Sequence, residues 1–473
     1  MSTHTVTTTK SWSQRLGNSL GGIVFGIVLV IAGTILLWWN EGNYVFTKVS
    51  LNEAQSVTVA LESISTVDRS KEGMMVYAAG TAETDDILED TVFGISTNAM
   101  NLERTVQFYQ WVESSSTTTE TRLGGEQVEV TTYSYERKWV NSPVNSSNFY
   151  DARGHSNRVL LNLENLTVNA RNVAFGAYRL PDFFIARIRS LDNLRIELTD
   201  EVRTKLDELN IRLNDFGGTP TTQNNLDDIP VSLLAPVSAL ATPSQVVAQE
   251  MSEDLHSPEE VTLEATTTES TPLLPFDNLD APVTVSQHVL PNMVHVEGNT
   301  IYLGRNPNNP QIGDIRVTFQ RTLPSKAVSL IAKQIGDTFE AFTAANNYTV
   351  ALLELGTVSA ENMYASAHAA NEMMTWLLRF GGIFLVFIGL RMVFAPLEVL
   401  ASVVPFLGKL VGAGIGFVSM VLGLAWSLLI IALAWLFYRP LIGIIILVVV
   451  VGLVALLFSK RSSGKTDQPE LAA

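Results

Sequence analysis

Residues 434–444 read AWLFYRPLIGI, an arginine and a proline set between two long apolar runs, 410–437 and 441–458. Each run is long enough to cross a hydrocarbon core of about 30 Å alone. Tyr438, Arg439 and Pro440 therefore read as the tight turn of a transmembrane hairpin. Pro440 can open a helix without wasting an N–H, and Arg439 can reach the headgroups. An arginine inside a pore is the competing reading, but its place between two complete spans marks an interface instead.

Working outward, Leu20–Trp39 is an uncharged apolar stretch of about twenty residues, one bilayer thickness as a helix. It exceeds a signal-peptide core, and no small-x-small cleavage site follows LLWWNEG, so it reads as an uncleaved first span. Trp38 and Trp39 read as its interfacial belt. Residues 377–395 form a further span, bracketed by Arg379 and Arg391, which must snorkel for the segment to cross. A re-entrant insertion competes, encouraged by Pro396 and Pro405 and by the hydrophobic but broken stretch LEVLASVVPFLGK that follows. Four spans result, with 396–409 as an interfacial connection. Both ends, 1–19 and 459–473, then lie on the cytoplasmic side with Lys10, Arg15, Arg391, Lys409, Lys460, Arg461 and Lys465, as the positive-inside tendency favours.

The intervening chain, 40–216 and 291–376, is too long for a loop and reads as an α+β, β-rich extracytoplasmic or lumenal domain. TVQFYQWVES and EVTTYSYERKWV alternate and are rich in Val, Thr, Tyr and Trp; DIRVTFQ and AVSLIAKQ behave alike. PDFFIARIRSL from Pro181 reads as helical. DEVRTKLDELNIRL does too, its Val202, Leu206, Leu209 and Leu213 keeping a helical period. A third helix is expected to start at Ser359 as N-cap and run past Met363 and Trp376 into the second span.

Residues 217–290 break this pattern. They hold eight of the chain's eighteen prolines, no lysine or arginine, and most of the net charge of −16. Such a composition buries too little apolar surface to offset chain entropy, so a disordered acidic insertion is expected. The acidic balance argues against nucleic acid as a partner.

Chemistry is sparse. The chain has no cysteine, which excludes disulfides and thiolate metal sites. Its six histidines lack metal-ligand spacing, and no GxSxG, Walker A or GxGxxG motif occurs. His155 in ARGHSN, beside Asp151 and Arg153, is the best single catalytic candidate, with a turn histidine bonded to backbone as the plainer reading. No catalytic residue, cofactor or metal is therefore assigned. The spans instead carry small residues at packing spacing. Gly408, Gly412 and Gly416 share one face, and Gly22 with Gly26 another, for helix packing within the chain or oligomerisation between chains.

Nine stretches in order carry a resemblance: QRLGNSLGG, WNEGNYV, FYQWVE, YSYERKW, NSSNFYDARGHSN, NPNNPQIGDIRVTF, VSLIAKQIGDTFEAF, VSAENMYASAHAANEMMTWLLRFGG and WLFYRPL. Together the chain resembles the transmembrane protein 43 (LUMA) family over nearly its whole length outside 217–290. The resemblance implies four spans with a large lumenal domain and no established catalytic residues. For animal members it implies the endoplasmic reticulum and inner nuclear membrane, with lamins and emerin as partners. The acidic insertion departs from the animal pattern and admits a bacterial source. The location would then be the cytoplasmic membrane, and only a general membrane-organising role would carry over. The expected function is a non-enzymatic membrane scaffold in contact with lipids, itself or other membrane proteins; the alternative is a receptor whose domain binds a ligand and signals through the helices.

Overall fold

The computed structural model describes residues 2–216 and 292–439. The insertion at 217–290 and the expected fourth span at 440–458 lie outside the described residues. Three described helices are long and apolar enough to cross a membrane, so four spans are not supported.

The first, α1 (Trp12–Val57), starts on a capping box in which the Ser11 hydroxyl accepts the Gln14 N–H and the Gln14 side chain accepts that of Ser11. Its 46 residues extend about 70 Å at 1.5 Å per residue, more than twice a bilayer core. Residues 40–57, expected in the domain, thus continue the helix out of the apolar zone. PDFFIARIRSL is not a helix as expected. Only one turn, α2 (Asp182–Ile185), forms before the chain leaves to pair Asp192–Asn193 with Gln320–Arg321. Phe184, Ile185 and Ile188 are buried, so their helical spacing serves a compact turn. The amphipathic α3 (Asp200–Phe216) forms as its period requires, with Val202, Leu206, Leu209 and Leu213 buried. Next, α4 (Ala360–Ala401) begins where Ser359 caps the Asn362 N–H and runs unbroken through Pro396. The expected 396–409 connection is correspondingly only residues 402–404. There α5 (Pro405–Tyr438) starts with proline at N1, where the missing N–H costs nothing.

Two larger sheets build the domain, antiparallel except where Val59–Ala60 runs parallel to Val76–Tyr77. One orders its main strands Ser2–Lys10, Gln127–Val140, Asn101–Thr121, Ile315–Thr322, Thr300–Leu303 and Val294–Glu297. The other centres on Met75–Glu83 against Ser325–Ile335. The four stretches expected as strands lie in these sheets. Phe93, Phe175, Phe319 and Phe339 belong to one buried apolar cluster. Arg104 and Asp90 form a buried ion pair of 2.7 Å within the domain. The helices join the domain through a second cluster, in which Leu51, Ala54, Met363 and Tyr364 pack with Met75, Ile331 and Val350.

The hairpin Asn101–Thr121/Gln127–Val140 outgrows the domain. Its tip reaches the opposite end of the helices, where Arg15 Nη1 donates to the Gly125 carbonyl (2.7 Å) and to Ser402 Oγ (3.0 Å), and Gly124 N–H donates to the Val403 carbonyl. Gly125 has φ +80°, and a Cβ there would meet the Trp12 ring at 2.4 Å, so only glycine fits. Along the outer half, Ser2–Lys10 adds a third antiparallel strand, from Ser2 opposite Tyr135 to Lys10 opposite Gln127. Residues 1–19, expected as a segment across the membrane from the domain, are therefore tied to it by pairing. Hydropathy is blind to such a pairing, because the partner strand lies more than a hundred residues away.

The chain's lack of cysteine offers a direct check. Thr7 and Val130 are cross-strand partners, at a spacing compatible with a disulfide. The Thr7→Cys/Val130→Cys double variant should crosslink under mild oxidation in native membranes, seen as a mobility shift reversed by reductant. Absence of the crosslink, with both thiols open to opposite-side reagents, would place the N-terminal segment across the membrane from the hairpin.

Candidate functional site

Glu41 closes the first apolar run, and α1 carries its carboxylate inward, where it is fully buried. Three donors from two other helices converge on it. Arg379 on α4 donates from Nε to Oε1 (2.6 Å) and from Nη2 to Oε2 (2.8 Å), and Trp435 on α5 donates from Nε1 to Oε2 (2.8 Å). The guanidinium also lies 4.8 Å from the Trp376 ring centre and 5.8 Å from that of Trp435. Beside it, Asn40 Nδ2 donates to the Thr375 carbonyl (3.1 Å). A bidentate fork with a further indole N–H is the donor set that makes a buried carboxylate tolerable in apolar surroundings.

Aromatic rings enclose this junction. Trp38 packs against Phe437 and Tyr438, Phe46 against Tyr438 and Tyr348. The Arg439 guanidinium sits 4.6 Å from the Tyr44 ring centre and 5.3 Å from that of Trp435. Trp39 points outward and is exposed. A girdle of this kind, apolar on one side and polar on the other, suits the membrane–water boundary. On the domain side, the turn at 344–348 docks on α1: Tyr348 donates to Asn43 Oδ1 (2.7 Å), Ser50 to Asn346 Oδ1 (2.8 Å) and Ala345 N–H to the Glu53 carboxylate.

Below the junction, glycines let backbones touch. A Cβ on Gly26 would lie 2.6 Å from the Gly389 carbonyl oxygen, and one on Gly389 equally close to that of Gly26. Gly33 meets Gly382 and Val386 in the same way, while Gly22 only approaches Met392. On α5, Gly408 abuts Ser402, Gly412 the Glu398 carboxylate and Gly416 the Arg391 guanidinium, each inside the chain. Trp426 Nε1 donates to Thr34 Oγ1 (2.9 Å), fastening α5 to α1.

The sequence-named residues thus divide. Arg379, Trp38, Tyr438 and Arg439 come together at the junction, whereas Arg391 lies with the glycines toward the far end of α4. Glu41, Trp435, Gly33, Gly382 and Gly389 were not singled out. The available signals were an acidic residue ending one apolar run opposite a basic one starting another, and seven-residue glycine spacings at 26/33 and 382/389. His155 sits apart, stacked on Tyr135 with ring centres 3.7 Å apart and edge-on to Trp111. Its Nδ1 lies 3.2 Å from the Asp151 carbonyl and 3.1 Å from the Asp151 carboxylate. It is buried in a turn. Among the described residues no group of three or more His, Asp or Glu could hold a metal ion.

These features define an integral membrane protein in which a β-rich domain is joined to a bundle of apolar helices by a charged, aromatic-lined junction. The model of the family described as transmembrane protein 43 matches residues 108–225 and 245–440, more than half of the chain, and the chain belongs to that family. It is 26% identical over 442 residues to transmembrane protein 43 of Homo sapiens, covering 92% of this chain and 88% of that protein. The Mus musculus protein is likewise 26% identical, over 90% of this chain and 87% of its own length. The transmembrane protein 43 homolog of Drosophila melanogaster is 22% identical over 92% of this chain and 93% of its own length. No solved structure matches the chain.

Removing one member of a buried ion pair strands the other, at a cost of about 3–5 kcal/mol. Glu41→Ala should therefore lower the thermal midpoint of the detergent-solubilised protein sharply, and Arg379→Met by a comparable amount. Glu41→Leu combined with Arg379→Met should recover much of the loss, because no lone charge remains. Trp435→Phe, which removes one hydrogen bond to a charged group, should cost about 1.5–3 kcal/mol. Additive losses in the double variant would show that the two side chains do not act as a pair.

Proposed function

We propose that the chain is a non-enzymatic membrane scaffold, whose helices and hairpin together hold other membrane proteins or further copies of itself. The observation that supports this is the hairpin beside the bundle. Its outer half, Ser114–Thr121 with Gln127–Ser134, is mostly hydroxyl-bearing, with exposed or half-buried side chains apart from the buried Val128. It passes from the domain to the start of α1, and the outer edge of Ser2–Lys10 has no strand partner among the described residues. Open strand edges are not stable in hydrocarbon and persist at membrane depth only against protein or a water-filled groove. A scaffold's clients supply such a cover, which isolated insertion in lipid does not.

The receptor alternative draws on a different feature, the continuity of α4 from Met363 and Tyr364 in the domain's apolar cluster to the bundle. A ligand-driven change in the domain would pass along that helix, through Arg379, to α1 and α5.

Mild crosslinking in native membranes followed by native mass measurement separates the two. The scaffold reading expects a defined homo-oligomer or a reproducible stoichiometric protein partner. A single chain of 51.8 kDa accompanied only by lipid would overturn it.

A further inference from the structure

One cavity in the domain, of about 460 Å³, lies against the outer strands of the larger sheet and is walled by the loop 305–313. Its size is in the range of small-molecule sites. The strand register assembles it: His295 pairs opposite Tyr302, Tyr302 opposite Arg316, and Arg316 opposite Gln107, while Trp139 closes the row from the hairpin.

Each wall is held before any ligand arrives. Arg316 donates from Nε to Gln107 Oε1 (3.0 Å), and its guanidinium carbon lies 4.7 Å from the Trp139 ring centre. Tyr302 donates to the buried Asp314 carboxylate, which also accepts the Gln311 N–H (2.8 Å) and so anchors the loop. Burial pushes the Asp314 carboxyl up from its ordinary value and, aided by the hydrogen bond to Asp314, pushes the Tyr302 hydroxyl up as well. Beside these satisfied groups stand others that are not. The His295 Nε2 atom is buried with no hydrogen-bond partner, which a native fold seldom leaves unexplained. Glu297 lines the cavity with an exposed carboxylate and has no ion pair among the described residues. Asn308 adds an amide to the rim.

We infer that this cavity binds a neutral polyhydroxylated ligand, a sugar of about one or two rings. The chemistry selects that class. Arg316 offers only donors, Glu297 only acceptors, and His295 and Asn308 either, so the site matches hydroxyl groups, which donate and accept together. A simple anion is opposed by Glu297 and a simple cation by Arg316. The indole of Trp139 offers an apolar surface for the C–H face of a pyranose ring. This site does not depend on the scaffold reading and goes beyond it.

The test is saturation-transfer NMR on the detergent-solubilised full chain, with D-glucose, D-mannose and N-acetyl-D-glucosamine as probes at millimolar concentration, and L-glutamate as a charged, net-anionic control. Transfer to the ring protons of at least one sugar is expected, falling at least fivefold in His295→Leu and in Glu297→Gln. The Glu297 substitution is exposed and isosteric, so it decides the matter even where the His295 variant fails to fold. No transfer to any sugar, equal transfer in the Glu297→Gln variant, or transfer to glutamate alone would overturn the proposal.

Discussion

A single carboxylate, that of Glu41, receives three donors from two other helices, and the arrangement of the bundle depends on it. A charge that deep is costly unless every lone pair is used, so α1, α4 and α5 have one relative placement in which Arg379 and Trp435 both reach Glu41. The helices run antiparallel, and seven residues along α1 are matched by seven along α4, so that Gly33 faces Gly382 and Gly26 faces Gly389. The long Arg379 side chain reaches back to Glu41 at one end of this contact, and the glycines permit the close approach along the rest of it. Neither suffices alone, since glycine stripes tolerate sliding and an ion pair tolerates rotation.

The same placement sets the domain. Because α1 and α4 continue beyond the junction without a break, the cluster of Leu51, Ala54, Met363 and Tyr364 is positioned by the pairing between Glu41 and Arg379 several turns away. The Tyr364 hydroxyl bonding Thr58 (2.7 Å) and the 344–348 turn seated on Asn43, Ser50 and Glu53 complete a rigid neck. Movement of the domain relative to the bundle would have to break these contacts together.

How much of this was legible in the sequence depended on whether the information was local. Three of the four apolar runs, the Ser359 cap, the period of Val202 to Leu213 and four alternating strands are written in neighbouring residues, and these appear as read. Arg379 shows the limit. Beside an apolar run its visible option was to snorkel toward water, because its partner is 338 residues distant. PDFFIARIRSL failed for the opposite reason: its apolar spacing suits a helix, but tertiary burial of Phe184, Ile185 and Ile188 is met by one turn. The strand at Ser2–Lys10 is rich in threonine, yet nothing nearby could pair with it. Its partner is the far half of a hairpin whose length only the folded chain reveals.

The hairpin and the helices make opposite demands on their surroundings. Val24, Phe25, Phe380, Phe384, Phe406 and Phe417 are exposed apolar side chains along the bundle, and lipid satisfies them. The Ser/Thr sheet, with its open edge, requires polar company at the same depth. Both demands are met only if the bundle has two unlike flanks, one facing acyl chains and one facing protein or water. The contacts of Gly124 with Val403 and of Gly125 with Arg15 prevent the sheet from swinging clear of the bundle without losing two hydrogen bonds. The asymmetry is therefore built into the folded chain.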